Sequence, residues 1–154
     1  PPRFSSSRVE AMEKEDDLIE RLCAFLEESP TGRVLDHGRH PLHRGDMERP
    51  DARARLTGPC GDTDEMFLRV CSDRVQEVRF LTDGCFFTTA ACDATALLAR
   101  GKTIDECLTL DEQAILDYLE DMPEDHTHCA ILALLTLREA IHQYFDRQRT
   151  GTRP

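Results

Sequence analysis

Between Glu10 and Ser29 the apolar residues Leu18, Ile19, Leu22, Phe25 and Leu26 fall three and four apart, with charged residues filling the rest of each turn. That spacing predicts one amphipathic helix, stopped by Ser29-Pro30-Thr31-Gly32. Residues 1–9 show no period and read as disordered. From Arg33 to Thr57 the chain is rich in Arg, His, Asp and Pro with little periodicity, and reads as a surface loop with room for a short edge strand. Two strand-like stretches follow, Met66–Val70 and Val75–Leu81, separated by Ser72-Asp73-Arg74. The second alternates Val78 and Phe80 with Glu77 and Arg79, as a half-buried strand does, so the pair predicts a hairpin. After Thr82-Asp83-Gly84 the period becomes helical: Phe87, Ala90, Ala91, Ala94, Leu97 and Leu98 form a stripe to Arg100, closed by Gly101. Thr103–Glu106 and Thr109–Glu112 each match a capping box, predicting two short helices, the second ending near Asp121-Met122-Pro123. The longest helix is expected from Thr127 to about Gln148, with Ile131, Leu134, Leu135, Ile141, Tyr144 and Phe145 as its apolar positions.

Strands followed by helices, without strict alternation, predict an α+β fold: a small antiparallel sheet packed against helices, with an extra N-terminal helix. The chain divides into an N-terminal extension (1–32), one main domain (33–148) and a tail (149–154). Neither an internal repeat nor a glycine-rich phosphate loop is present.

Composition narrows the function. In 154 residues, 40% are hydrophobic, enough for a core, and 32% are charged. No apolar run reaches the ~18–20 residues that span a bilayer. Pro1-Pro2-Arg3-Phe4-Ser5-Ser6-Ser7 lacks the apolar stretch of a secretory signal, so a cytoplasmic location is expected. A formal net charge of −11 repels phosphate backbones and argues against nucleic-acid binding. It suits a basic protein partner.

The seven cysteines are an odd number, and a disulfide framework is not expected in a reducing compartment. Cys23, beside its helical stripe, Cys71 at the hairpin turn and Cys92 on a helix are expected to be packed or incidental thiols. His37, His40 and His43 lack a cysteine or a regular ligand spacing and are expected to be solvated loop histidines. Cys60, in Gly58-Pro59-Cys60-Gly61-Asp62, Cys85, after Gly84, and Cys129, after His128, stand apart. Cys85 and Cys129 begin helices, where unpaired N–H groups and the positive dipole end favour an anion, hence a thiolate. Cys60 is flanked by glycines and followed by Asp62. Three thiolates with an exchangeable oxygen or nitrogen donor, Asp62 or His128, suit zinc, ferrous iron or an iron–sulfur cluster.

These residues, in this order, resemble the NifU/IscU family of iron–sulfur scaffold proteins. The likeness runs through Val34-Leu35-Asp36-His37 with Pro41, Gly58-Pro59-Cys60-Gly61-Asp62, the hairpin, Asp83-Gly84-Cys85, Gly101-Lys102-Thr103-Ile104-Asp105-Glu106 and His128-Cys129-Ala130-Ile131-Leu132-Ala133. It covers roughly Arg33 to Tyr144. The resemblance implies a scaffold, not a turnover enzyme, that takes sulfur from a pyridoxal-phosphate cysteine desulfurase. It would bind iron, build a labile cluster, usually [2Fe–2S], and pass it to recipient apo-proteins, with an iron or electron donor as a further partner. Such a protein would act as a monomer or a transient dimer. Cys60, Cys85 and Cys129 would be the thiolate ligands and Asp62 and His128 the exchangeable ones. Cys129 is the preferred sulfur acceptor, with Cys85 as the alternative. Two other readings are a zinc-bound, SufU-like sulfurtransfer acceptor using the same residues and a degenerate member acting as an adaptor. The SufU branch usually carries an insertion between its second and third cysteines, which this chain lacks. Two departures stand out: Met122-Pro123-Glu124-Asp125-His126 occupies the place of the family's Leu-Pro-Pro-Val-Lys chaperone segment, and Phe86-Phe87 follows Cys85 where the family often has small residues.

Overall fold

A computed structural model describes residues 17–19, 21 and 32–151. The helix expected over Glu10–Ser29 is represented by Asp17, Leu18, Ile19 and Arg21, which are helical. The rest of it, Cys23, residues 1–9 and residues 152–154 lie outside the described residues. The element order is α1 (Gly32–Arg39), β1 (Ala52–Thr57), β2 (Thr63–Cys71), β3 (Arg74–Thr82), α2 (Phe86–Ala99), α3 (Ile104–Thr109), α4 (Glu112–Leu119), a 3-10 turn (Glu124–His126) and α5 (Thr127–Thr150). Among the described residues no helix is long and apolar enough to cross a membrane.

The three strands form one antiparallel sheet in the order β1-β2-β3, giving the α+β architecture. Ser72 and Asp73, at φ 51° and 62°, make a two-residue turn between the Cys71–Arg74 pair. Positive φ at both positions is the turn geometry that matches strand twist. Cys71 is exposed beside that turn. Two rows of paired residues, Ala52–Leu68–Val78 and Ala54–Met66–Phe80, cross the sheet and are buried. Helix α5 lies across β1 and β2, and α2 across β3. Full burial of Met66, Leu68 and Phe80 contributes about 1.5–3 kcal/mol each.

Helix α2 is the centre of the molecule. Its residues Ala90, Ala91, Cys92, Ala94, Ala96 and Ala99 are all fully buried, and small side chains are what let α1, β3, α4 and α5 approach one helix from several sides. Cys92 is thus a packed thiol, as expected, and burial pushes its pKa well up.

The stretch read as a loop contains α1 as well as the edge strand β1. The reason is tertiary. Asp93 of α2 is fully buried, and a carboxylate only accepts hydrogen bonds. It takes one from His37 Nδ1 at 2.5 Å and two from His43, through Nδ1 at 3.0 Å and the backbone N–H at 2.8 Å. His37 also meets the Tyr118 hydroxyl through Nε2 at 2.8 Å. One turn earlier on α1, Arg33 lies over the Tyr118 ring and donates to the Tyr118 carbonyl. Two of the three histidines expected to be solvated are therefore buried anchors, and only His40 is exposed. Helix α1 holds because these partners reward it, not because its own periodicity demands it.

The caps follow the expected chemistry at one site and depart from it at the other. Thr103 accepts from the Glu106 N–H. At α4 the cap is Asp111, accepting from Ala114 N–H, while the Thr109 hydroxyl donates to the Glu106 carbonyl at the end of α3. Asp111 wins because it is a stronger, charged acceptor at a helix start. Helix α5 extends through Thr150 to Gly151, whose left-handed φ of 69° ends it, so the first residues assigned to the tail are helical.

Burial by itself would raise the Asp93 carboxyl; the hydrogen bonds from His37 and His43 and the attraction of His43 outweigh it and hold the pKa far below the usual carboxylate range. A depressed folded-state pKa contributes stability above the unfolded value, near 3.9, which is lost as pH falls below that value. Asp93→Asn is expected to cost about 3–5 kcal/mol near neutral pH, as removal of one partner from a buried pair does. Urea unfolding of the two proteins checks this, with the gap between them narrowing as pH falls below about 4.

Candidate metal and sulfur site

Three chain segments meet at one end of the sheet. The first is the loop between β1 and β2, carrying Cys60 and Asp62. The Gly58 N–H donates to the Asp62 carbonyl and the Gly61 N–H to the Gly58 carbonyl, so the loop curls back on itself with Cys60 exposed. The second is the junction of β3 and α2. Asp83 is pinned there by the Thr63 N–H at 2.7 Å, and the Gly84 N–H donates to the Thr82 hydroxyl. Cys85 caps α2 in an extended conformation and is exposed. The third is the 3-10 turn and first turn of α5, with His126, His128 and Cys129.

The Thr88 hydroxyl ties these segments together. Fully buried on the first turn of α2, it donates to Asp62 Oδ2 at 3.0 Å and lies 3.3 Å from Cys129 Sγ and 3.5 Å from Cys85 Sγ. A hydroxyl carries one hydrogen, so it serves whichever of the three neighbours needs it most. Gly84 makes room for this arrangement. A Cβ there would come within 2.7 Å of Thr88 and 2.8 Å of Asp62 Oδ2, so any side chain would drive the loop from the helix.

The two helix-start cysteines differ in character. Burial opposes ionisation of Cys85, but hydrogen bonds from the Thr88 hydroxyl and the Thr88 and Phe87 N–H groups outweigh it and lower its thiol pKa. Cys129 is only 1% exposed, and burial pushes its thiol up to about 11 despite help from Thr88; Cys85, Asp62 and Cys60 add repulsion. The helix start and the neighbouring imidazole do not offset the burial of the Cys129 thiol. Desolvation exceeds what the helix end supplies, and the lower pKa belongs to Cys85.

Among the described residues, Cys85, His126 and Cys129 each offer a donor atom within 4.8 Å of the others. Two sulfurs and an imidazole match the donors that zinc and ferrous iron take. Asp62 joins the group through Thr88. His128 is exposed, and its Nε2 stands 3.8 Å from Cys129 Sγ. Cys60 stands on the loop tip, close enough for its charge to act on Cys129. The structure thus brings Cys85, Cys129 and Asp62 together, with Cys60 and His128 at the edge. Sequence reasoning missed Thr88 and His126. The signals were present: Thr88 and Cys85 are three apart, as are His126 and Cys129, the spacing that sets an N-cap side chain beside the third residue of its helix.

The family profile described as "NifU-like N terminal domain" matches residues 30–151. The chain is 33% identical over 116 residues, 75% of its length and 76% of the relative's, to "Iron-sulfur cluster assembly scaffold protein IscU 1" of Archaeoglobus fulgidus. It is 32% identical over 119 residues, 75% and 76% of the two chains, to "Iron-sulfur cluster assembly scaffold protein IscU" of Aquifex aeolicus. The crystal structure of a NifU-like N-terminal protein from Brucella abortus superposes with a TM-score of 0.65 at 19% identity, covering 79% of this chain and 98% of that one. The last of these speaks to the fold alone.

Thr88→Val removes the hydroxyl while keeping the shape of the side chain. The Cys85 thiol pKa is expected to rise and its alkylation at neutral pH to slow. Iodoacetamide labelling across pH, with the Cys85 adduct followed by mass spectrometry, checks this; an unshifted Cys85 profile would remove Thr88 from its role.

Proposed function

This chain belongs to the NifU-like N-terminal domain family, and on that premise we propose that it is a scaffold on which an iron–sulfur cluster is assembled and then passed to apo-proteins. The cluster is cargo, not a resident cofactor. The observation that carries the reading is the convergence of Cys85, Cys129 and Asp62 on the Thr88 hydroxyl, with Cys85 and the Cys60 loop open to a partner.

Sulfur enters at Cys85. A persulfide on a cysteine desulfurase needs a thiolate that it can reach, and Cys85 is the exposed member of the close pair. Its thiolate attacks the terminal sulfur of the partner's persulfide, the S–S bond breaks, and the partner's cysteine leaves as a thiolate. No net oxidation occurs, and Cys85 carries the persulfide. Conversion of that sulfur to sulfide takes two electrons from a reductant, which is why an electron donor belongs among the partners. Iron is held by Cys60, Cys85 and Cys129, with Asp62 and an imidazole from the His126–His128 pair as exchangeable donors. A [2Fe–2S] cluster held partly through oxygen is bound less firmly than one held by four sulfurs, which suits a donor. The net charge of −11 favours a desulfurase with a basic docking face.

The compact group of two sulfurs and one nitrogen also favours a second reading, in which zinc stays at the site and orients the thiolate that accepts sulfur. Iron, acid-labile sulfide and zinc per chain, measured after anaerobic incubation with a cysteine desulfurase, cysteine, ferrous iron and a reductant, separate the two. Stoichiometric iron and sulfide are expected; retained zinc without sulfide supports the zinc-bound acceptor, and none of the three supports an adaptor. Cys85→Ser should abolish stable assembly while leaving the far-ultraviolet circular dichroism unchanged, and full occupancy in that variant would falsify the ligand assignment. Asp62→Ala should slow cluster transfer to an apo-ferredoxin several-fold, followed by the change in visible circular dichroism; unchanged transfer kinetics would take Asp62 out of the release step.

A further inference from the structure

We infer that the outer edge of β1, with an arginine that α5 adds to it, is a docking surface for a carboxylate-rich segment of a partner protein. The inference concerns a different face from the cysteines and needs neither a metal nor a cluster there.

Three observations carry it. The first is shape. A groove of about 350 Å³ runs along β1, lined by Arg53, Arg55, Glu65, Gln143 and Arg147. Arg53 and Arg55 alternate with the buried Ala52 and Ala54, so both project from one side of a strand that has a sheet neighbour, β2, along one edge only. Arg147 arrives from α5, one turn beyond Gln143, and is steadied by donating to the Asp51 carbonyl at 3.1 Å.

The second is pairing. Arg33, Arg69, Arg79 and Arg149 stand in ion pairs. The exposed side chains of Arg53 and Arg55 have no hydrogen bond or ion pair among the described residues. Glu65 lies opposite Arg55 in the strand register without closing an ion pair to it.

The third is the sign of the charge. The chain carries 30 acidic and 19 basic residues, so a groove with three arginines and one acid is a local reversal. An acidic partner is repelled by the net field and drawn to this edge, which fixes where it docks. Guanidinium forks bind carboxylates through two parallel hydrogen bonds. Arg53 and Arg55 are two strand residues apart, about 7 Å, and alternate side chains of an extended acidic segment repeat at that same distance. β1 ends at Thr57, three residues before Cys60. A partner contact of ordinary size, about 800 Å² per side, therefore covers the groove and the Cys60 loop together. A basic sulfur donor and this acidic partner meet different charges on the scaffold.

The test is fluorescence anisotropy of a dye-labelled hexaglutamate peptide titrated with the full chain at low salt, with a chelator present to keep metals off the cysteines. Saturable binding that weakens as salt rises is expected. An Arg53→Glu, Arg55→Glu double variant should weaken it at least about tenfold, the loss a central arginine carries at an interface. An Arg39→Glu, Arg100→Glu variant makes the same change in net charge at exposed residues outside the groove and should lose far less. Equal losses in the two variants would reduce the effect to net charge and overturn the inference. So would the absence of saturable binding, which leaves the arginines as charges that guard a strand edge. Amide shifts of the nitrogen-15-labelled wild-type chain give a readout that needs no variant: peptide-induced changes should centre on β1 and Arg147, and changes confined to other elements overturn the assignment. Three further outcomes name a different occupant and overturn it too. Displacement of the peptide by an equal concentration of inorganic phosphate would mean a simple anion site. Tighter peptide binding in a Glu13→Ser, Glu15→Ser, Asp16→Ser, Asp17→Ser variant would assign the groove to the chain's own N-terminal segment. Dimerisation in sedimentation that Arg53→Glu, Arg55→Glu abolishes would assign it to a second copy.

Discussion

A single buried carboxylate organises the molecule. Asp93 is fully buried on α2, and taking a charge out of water costs several kcal/mol unless its geometry is good. Here three hydrogen bonds from His37 and His43 compensate it. They fasten α1 and the segment after it to α2, and His37 passes the connection on to Tyr118 of α4. The sequence of α2 makes this possible, because a helix lined with alanines lets neighbours come close enough for a short aspartate side chain to reach two imidazoles. With its middle clamped in this way and Asp83 pinned to the start of β2, the first turn of α2 has little freedom. That turn presents Cys85 and Thr88.

The same helix separates groups that resist charge from groups that accept it. Behind the site, burial raises the pKa of Asp64, with repulsion from Asp62 and Asp83 adding to it and hydrogen bonds from Thr82 and Cys92 opposing it. Cys92 is raised further, by burial and then by Asp64. Towards solvent, Cys85 is lowered and Cys129 sits between, raised by burial and by its acidic neighbours. A cluster of acids and thiols that repel one another in a partly dry setting is poorly satisfied by protons alone. A cation relieves the repulsion and makes the buried thiol a ligand by displacing its proton. One shared hydroxyl, Thr88, gives the arrangement its adaptability, since its hydrogen can turn to Asp62 or to either sulfur as the charge moves.

Local patterns carried much of this into the sequence. The hairpin, the helix after Cys85, the cap at Thr103 and the long last helix were all legible, because each depends on the period of burial along a few turns or on a side chain meeting a backbone group three residues away. Four of the candidate residues, Cys60, Asp62, Cys85 and Cys129, announced themselves through glycines and helix starts. The three histidines between Arg33 and Thr57 did not. Nothing near His37 shows that its partner lies 56 residues on, or that of His43 lies 50 residues on, so two buried anchors resembled solvated loop residues.

By itself, then, the sequence determined the element order after the loop, the family and the set of thiols at helix starts and in a glycine turn, since all of these are written in short-range pattern. Only the tertiary structure decided that Cys129 is buried and Cys85 is reachable, that Thr88 joins them to Asp62, and that a ring nitrogen of His126 lies within 4.8 Å of both sulfurs. Those outcomes turn on which segments of chain meet, and on the water that leaves when they do. Desolvation is a property of the packed whole, and no stretch of sequence states it.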